Sequence, residues 1–142
     1  MEHKAELFKQ RTKAFALRII RLVRSVPNTQ EGRVIGHQLL RSGTSIAANY
    51  RAACRARSRA EFLSKISTVV EEADETVFWL ELLADAGVVA SSRLRDLKSE
   101  AEELVAIFNA SRVTARRNAQ SAIKNQKSTI KNRETIKGIY CG

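Results

Sequence analysis

The sequence predicts an all-α protein: an antiparallel up-down-up-down four-helix bundle followed by a basic, flexible C-terminal tail. Three observations lead to this fold class. Among 142 residues there is one proline, Pro27, and there are six glycines, and these two residue types are the poorest helix formers. Apolar residues recur at spacings of three and four along four long segments, which is the repeat of one helix face. Short loops separate the segments, so consecutive helices are expected to run antiparallel.

The first two helices are bounded by the segment around the proline. The apolar repeat predicts a first helix over about residues 5–25, which ends because Pro27 cannot continue it. Either Asn28 or Thr29 is the predicted N-cap of a second helix, since both side chains can accept a hydrogen bond from a free backbone amide. This second helix is predicted to cover about residues 30–56.

The third and fourth helices are separated by a glycine. Residues 58–61, with Ser first and Glu last, have the spacing of a capping box and open a third helix. This helix continues to about Ala86, since Gly87 fits the left-handed position that commonly follows a helix. The fourth helix starts near residues 91–92. Its apolar series is Leu94, Leu97, Ala101, Leu104, Phe108 and Ser111.

The positive charge is concentrated at the C-terminal end of the chain. Residues 1–110 hold 17 Lys and Arg against 14 Asp and Glu, whereas residues 111–142 hold 8 against 1. Beyond about residue 115 a lone isoleucine recurs in a polar sequence, which is too little apolar surface to fold alone. We therefore predict a bundle over residues 1–115 and a basic low-complexity tail over residues 116–142. The tail is either disordered or a helix extension that becomes ordered on a partner.

No motif in the sequence predicts an enzyme. A di-metal site in a bundle needs Glu-x-x-His pairs, but the two histidines, His3 and His37, do not follow such a glutamate. The cysteines, Cys54 and Cys141, lack zinc spacing, and no glycine-rich phosphate loop occurs. We expect no catalytic residue, no metal and no cofactor. The absence of a signal-like or membrane-length apolar stretch predicts a cytoplasmic protein without membrane contact.

The second helix combines a face of small residues with an adjoining polar stripe. A small face lets another backbone approach closely, and this packing offsets the low helix propensity of glycine. The face consists of Gly36, Leu40, Gly43 and Ala47. The stripe, at spacings of three and four, consists of Gln38, Arg41, Ser45 and Asn49. We expect a close-contact surface bordered by hydrogen-bonding groups, which lets identical subunits lie tightly against one another.

The third helix has two seams at heptad spacing, so its apolar face is wider than one neighbour needs. One seam is Phe62, Ile66, Val69, Ala73, Thr76, Leu80 and Leu83, and the other is Lys65, Val69, Glu72, Thr76, Trp79 and Leu83. The surplus predicts self-association, with identical subunits side by side and Trp79 as the aromatic anchor. The alternative is a single broad bundle face with Trp79 in a corner.

Acidic residues on the third helix offer partners for the polar stripe. Glu72 and Glu75 either form a solvated face or pair with Arg41, across the bundle or across a subunit interface. The predicted oligomer interface or polar cluster is Arg41, Ser45, Asn49, Lys65, Glu72, Glu75 and Trp79.

Two groups of cations are candidates for binding nucleic acid. The first group lies at the junction of the second and third helices and consists of Arg51, Arg55, Arg57 and Arg59. The helix dipoles favour Arg51 and Arg55 at the end of the second helix but disfavour Arg59 at the start of the third. The second group lies in the tail and consists of Arg116, Arg117, Lys124, Lys127 and Lys131. In a ring of subunits the first group would form a basic rim that contacts phosphates. No aromatic residues alternate with these cations, which gives little support for stacking on single-stranded bases.

Three stretches resemble the four-helix-bundle family of 23S rRNA intervening-sequence proteins. They are "RTKAFALRIIRLVRSVP", "QLLRSGTSIAANYRAACRARSRAEFLSKI" and "EEADETVFWLELL", and the resemblance spans roughly residues 8–110. It implies antiparallel bundles that assemble as pentameric rings, with a poorly defined biochemical role. Relatives of similar fold are basic accessory proteins of reverse transcriptases, which implies binding of nucleic acid and protein. Many members have Glu-Gly after the residue that matches Asn49, whereas this chain has "YRAACRARS".

Two functions follow as hypotheses. The first is a homo-oligomeric, pentameric accessory factor that binds RNA or DNA through phosphates. The second is a protein–protein scaffold, such as an accessory partner of a reverse transcriptase.

Overall fold

The computed structural model describes the backbone of residues 2–141 and the side chains of residues 2–135. Within this range four helices follow one another: α1 (Glu2–Ser25), α2 (Gln30–Cys54), α3 (Arg59–Asp85) and α4 (Ser91–Cys141). Consecutive helices pack antiparallel, and α1 closes the bundle by a looser approach to α4. The predicted all-α four-helix bundle is confirmed. In detail, α1 begins three residues earlier than predicted and α2 ends two residues earlier.

The N-terminal caps of α2 and α3 satisfy backbone amides that have no partner within the helix. The Thr29 side chain accepts a hydrogen bond from the Gly32 amide at 3.1 Å, and Ser58 accepts one from the Glu61 amide at 3.0 Å. The Glu61 carboxylate accepts from the amide of Arg57 at 3.0 Å, and not from that of Ser58 as a capping box would have it. The carboxylate therefore reaches one residue further back and fixes the α2–α3 junction.

The C-terminus of α3 ends as the sequence predicts. Gly87 has φ +70°, a conformation that side chains with a Cβ rarely adopt. Its amide donates to the Ala84 carbonyl at 3.0 Å, and the Val88 amide donates to the Leu83 carbonyl at 3.0 Å. These two bonds form a Schellman motif, which satisfies carbonyls at the helix end and turns the chain into α4.

The glycine face of α2 is covered by α1 of the same chain. A Cβ on Gly43 would lie 2.9 Å from the Cγ1 and Cγ2 atoms of Ile19, and one on Gly36 would lie 3.6 Å from Cγ1 of Val23. The prediction that small residues admit a close backbone is confirmed. The expectation that identical subunits approach through this face is wrong, because α1 already occupies it at both glycines.

A single apolar core fills the bundle, and a charged contact closes it between α1 and α4. Arg11 donates from Nε and Nη2 to the two carboxylate oxygens of Glu100 at 3.1 and 2.6 Å, and Nη2 lies 3.0 Å from Glu103. These bonds to Glu100 and Glu103 raise the pKa of Arg11. The largest fully buried apolar side chains are Phe15, Ile19, Leu39, Ile46, Ile66, Val69, Leu80, Leu83, Leu104 and Phe108.

Helix α4 continues past residue 115, where the apolar pattern ends. Every side chain from residue 123 to residue 135 is exposed, so burial does not hold this part in place. Six of these thirteen residues are Lys, Arg, Gln or Glu, which are good helix formers, and this accounts for the helical backbone. We call residues 116–135 the α4 extension; the remaining predicted tail, residues 136–142, has side chains outside the described range. The predicted domain boundary and flexibility stay predictions.

No helix in the described part of the chain is long and apolar enough to span a lipid bilayer.

Replacing Gly43 with Ala is expected to lower the free energy of unfolding by about 1–3 kcal/mol. The new Cβ would overlap the branched carbons of Ile19, which are fully buried and close to the α1 backbone. Gly36→Ala is the matched control, since its Cβ would make an ordinary contact with Val23. We expect it to be neutral or to stabilise by up to about 1 kcal/mol through helix propensity. Urea unfolding measures both, and equal effects would contradict the close contact.

Candidate nucleic-acid interface and polar cluster

The basal end of the bundle, where α1 begins, α2 ends and α3 begins, is organised by three aromatic rings. The ring centroids of Tyr50 and Phe108 lie 4.9 Å apart, and those of Phe8 and Phe108 lie 5.8 Å apart. Tyr50 and Phe108 are buried, whereas Phe8 is half-buried. Burial raises the pKa of the Tyr50 hydroxyl, and the neighbouring thiol of Cys54 adds to this shift. The three rings join α1, α2 and α4 at this end.

A groove of about 1340 Å³ lies between the basal end and α4; we call it the basal groove. One side is formed by the start of α1 and by the α2–α3 junction. The other side is formed by α4, from Ile107 to Asn125, and so includes part of the α4 extension. The α4 residues on this side recur at spacings of three and four, which places them on one helix face.

Of the nine predicted cations, two line the basal groove and seven lie outside it. Arg57 and Arg59 line the basal groove together with Lys4 of α1. Arg51 and Arg55 are exposed at the same junction but lie outside the groove. The five predicted cations of the α4 extension do not line the groove and occupy the other sides of the helix. These five are Arg116, Arg117, Lys124, Lys127 and Lys131.

The cations at this end carry charge that no carboxylate compensates within the described side chains. Elsewhere in the bundle, Arg11, Arg41 and Lys98 each lie within 4.0 Å of glutamate oxygens. None of the nine predicted cations has such a partner among residues 2–135, and all nine are exposed. The basal end and the extension therefore present a positive field to solvent.

A polar cluster lies between α2 and α3 and is centred on Arg41. Its guanidinium donates to both oxygens of Glu72 at 3.3 Å, to Glu75, and to the Gln38 side chain at 3.2 Å. The indole N–H of Trp79 donates to the same Glu75 oxygen at 3.2 Å. The sequence left open whether Glu72 and Glu75 form a solvated face or pair with Arg41. The structure shows that they pair with Arg41 within one bundle.

Three other residues predicted for this cluster do not join the side-chain network around the Arg41 guanidinium. The Ser45 hydroxyl donates to the Arg41 carbonyl at 2.6 Å, and the Asn49 amide donates to the Ser45 carbonyl at 2.9 Å, so both bond their own helix. Lys65 is half-buried, and no carboxylate of the described side chains lies within ion-pair distance of it. A role for these residues in an oligomer interface stays a prediction.

The charges of the cluster shift the pKa values of its members in opposite directions. The hydrogen bond from Arg41 holds the pKa of Glu75 below its ordinary value of 4.5, against the opposing effect of burial, and Trp79 adds to the lowering. The bond to Glu75 raises the pKa of Arg41. Both groups stay charged at neutral pH.

The exposed aromatic residue on α3 is Phe78, which the sequence analysis missed. Its side chain is 51 % exposed and its ring lies edge-on to Trp79, with centroids 4.9 Å apart. Trp79 is half-buried, which fits the alternative of a ring in a corner of the bundle face. Phe78 lies on neither apolar seam, and that was the available signal, because an aromatic residue at an outward position is not covered by a neighbouring helix.

The sequence placed Phe62 on an apolar seam of the third helix, and Lys4 was not among the predicted nucleic-acid-binding residues. Both line the basal groove, because the fold brings the start of α1 and the start of α3 to the same end of the bundle. Cys54 lines the groove too and is half-buried with a free thiol. Among the residues that the structure describes, no group of three or more His, Cys, Asp or Glu side chains is placed to hold a metal ion.

The chain matches a protein-family model and is similar to solved structures. A family model described as 23S rRNA-intervening sequence protein matches residues 6–110. The chain is also similar to the crystal structure of a protein with unknown function from the S23 ribosomal protein family of Bacteroides thetaiotaomicron. The identity is 36 %, the TM-score is 0.69, and the match covers 73 % of this chain and 96 % of that one. The comparison with curated proteins gives no match.

Replacing Glu75 with Gln is expected to lower the free energy of unfolding at neutral pH by about 0.5–1 kcal/mol, the range for accessible ion pairs. The pKa of Glu75 is lowered on folding, so its charge stabilises the protein above about pH 4.5, and this stabilisation is lost as the pH falls through the folded-state pKa. The variant should therefore lose less stability between pH 5 and pH 3 than the parent protein.

Denaturant unfolding across this pH range measures the difference. Glu71→Gln is the control, because Glu71 is exposed on the same helix and has no ion pair among the described side chains. If the two variants lose equal stability at neutral pH, the cluster contributes nothing specific.

Proposed function

The chain belongs to the 23S rRNA-intervening sequence protein family, and from this premise we propose that it is a non-enzymatic, homo-oligomeric accessory factor that binds nucleic acid. Binding is through backbone phosphates, with little preference for sequence. The observation that supports this proposal is the set of uncompensated cations at the basal end and on the α4 extension.

The basal cations differ from the paired cations of the bundle in having no carboxylate within 4.0 Å among the described side chains, a property that they share with other exposed cations such as Arg21 and Arg24. In the body of the bundle, Arg11 and Arg41 are held by glutamates of neighbouring helices. Such pairs are already neutralised and release few counterions on binding a polyanion. Arg57 and Arg59 have no such pairs within the described residues, and contact with phosphates is the interaction that they are free to make.

Self-association would multiply this surface, and a pentamer is expected from the family resemblance. The exposed ring of Phe78 supports an interface beside the polar cluster, since aromatic residues are enriched at such interfaces. Several copies would carry several basal ends, and a polyanion that contacts two of them gains from their high effective concentration.

The double variant Arg57→Gln with Arg59→Gln is expected to bind structured RNA more weakly. The plot of log K against log salt concentration has a negative slope. Its magnitude should decrease by about 0.7–0.9 for each phosphate that the protein no longer neutralises. The matched control is Arg21→Gln with Arg24→Gln, which removes the same charge from the opposite end of the bundle. We expect the control to keep the parent slope.

Fluorescence anisotropy over a salt titration measures both variants. A third variant, in which Lys124, Lys127 and Lys131 are replaced by Gln, reports how much the α4 extension contributes to RNA binding. If the parent protein shows no binding at low salt, the nucleic-acid proposal is wrong and a scaffold that engages a protein partner is favoured instead.

The mass of the protein in solution tests the assembly. We expect light scattering to give several subunits, and Phe78→Asp to shift the mass toward the monomer because a charge at the centre of an interface costs binding energy. Leu17→Asp is the control, since Leu17 is a comparably exposed apolar residue of α1. A monomeric parent protein would contradict the assembly.

A further inference from the structure

We propose that the basal groove binds unpaired nucleotides, with the bases inside the groove and the phosphates on the cations at its rim. The inference rests on the proposed function and deepens it, because it names the substrate class as single-stranded nucleic acid. Duplex keeps its bases stacked inside the helix, and a base enters a protein groove only after it is extruded.

The size of the groove fits more than one nucleotide. Its volume of about 1340 Å³ exceeds the roughly 300–1,000 Å³ of a pocket that encloses one drug-sized ligand. Its two sides are different elements of the fold, the basal end and α4, so a strand can pass between them along the groove.

Two aromatic rings supply surfaces on which bases can stack. Phe8 of α1 and Phe62 of α3 line the groove and are half-buried, so part of each ring faces the open space. Stacking on aromatic side chains is the interaction by which proteins hold single strands regardless of sequence. Stacking had little support at the level of sequence because these rings do not alternate with the cations along the chain. The fold brings them together from α1 and α3.

The opposite side of the groove offers polar groups that suit base edges. Asn118, Ser121 and Asn125 line it from α4, and they are exposed. Their side chains donate and accept hydrogen bonds, and none of them is engaged with another described side chain. The α4 side of the groove therefore offers amide and hydroxyl groups to the edges of bases that enter it.

The rim supplies the charge for the phosphates. Lys4, Arg57 and Arg59 line the groove, and no carboxylate of residues 2–135 lies within 4.0 Å of their side-chain nitrogens. Cations at the rim, rings on one side and amides on the other together match a polyanion with exposed bases. A neutral apolar ligand would leave the cations unused.

The basal groove extends beyond the residues that the family model matches. The family model matches residues 6–110, whereas the α4 side of the groove continues to Asn125. The family match alone therefore does not imply the groove.

Cys54 provides a reporter inside the groove, since its thiol lines it. In a Cys141→Ser variant, Cys54 is the remaining cysteine, and its alkylation by N-ethylmaleimide can be followed by mass spectrometry. With a mixed-sequence single-stranded RNA at 100 times its Kd, we expect alkylation to slow by about tenfold or more. The same sequence as duplex, added to equal occupancy, should leave the rate close to that of the free protein. A single-stranded DNA arm tells whether the sugar matters.

A second variant tests stacking without removing charge. Phe62→Leu keeps an apolar side chain but loses the ring, and we expect single-strand affinity to fall about fivefold or more, with the salt slope unchanged. Leu17→Ala is the control, because Leu17 is an exposed apolar residue of α1 that lies outside the groove and outside the proposed subunit interface. It should bind as the parent does. Circular dichroism and solution mass check that both variants keep the fold and assembly.

The outcomes separate the two proposals. Binding of RNA without protection of Cys54, or equal protection by duplex, overturns the groove proposal and leaves the phosphate-binding function standing. A loss of affinity that is the same in Phe62→Leu and Leu17→Ala also overturns it. The absence of any binding at low salt overturns both proposals.

Discussion

The contact between Ile19 and Gly43 is the constraint on which the rest of the structure depends. Because Gly43 has no Cβ, α1 lies close against α2, and the branched side chain of Ile19 is fully buried in the gap. This contact sets the position of α1, which α4 holds on the other side through the ion pairs of Arg11. The N-terminal turns of α1 are thereby directed to the basal end, where Lys4 and Phe8 form part of the groove. A residue low in helix propensity thus has a packing reason inside a long helix.

Carboxylates neutralise only some of the cations of the described chain. Around Arg11 and Arg41, glutamates of neighbouring helices neutralise each guanidinium. At the α2–α3 junction and along the α4 extension, arginine and lysine have no carboxylate within ion-pair distance among the described side chains. Repulsion between such cations costs stability, and the expectation from linkage is that a bound polyanion recovers it. Of the net charge of +10, residues 111–142 account for +7, so most of the excess positive charge lies in the C-terminal part of the chain.

The polar cluster centred on Arg41 contributes more to geometry than to stability. Its ion pairs are accessible to water, and accessible pairs are individually weak. However, they fix the position of α2 along α3. The indole of Trp79 is oriented by its hydrogen bond to Glu75. The ring of Phe78 packs edge-on against this fixed indole, which holds an apolar group at the surface. A polar network that specifies the position of an exposed aromatic residue is a reasonable basis for a specific interface.

The sequence by itself determined the helices, their caps and most of the core. Thr29, Ser58 and Gly87 act within a few residues of their own position, and the apolar repeat identifies the buried face of each helix, so local rules suffice. The acidic partners of Arg41 were also accessible as candidates, because a spacing of three places Glu72 and Glu75 on one helix face. Only the tertiary structure decided that α1 covers the glycine face. It also decided that two of the nine predicted cations line the basal groove, and that Phe62 and Asn118 line the same groove. These facts depend on which helix stands beside which and on the rotation of each about its axis. Packing of the whole chain sets both, and no local repeat encodes them.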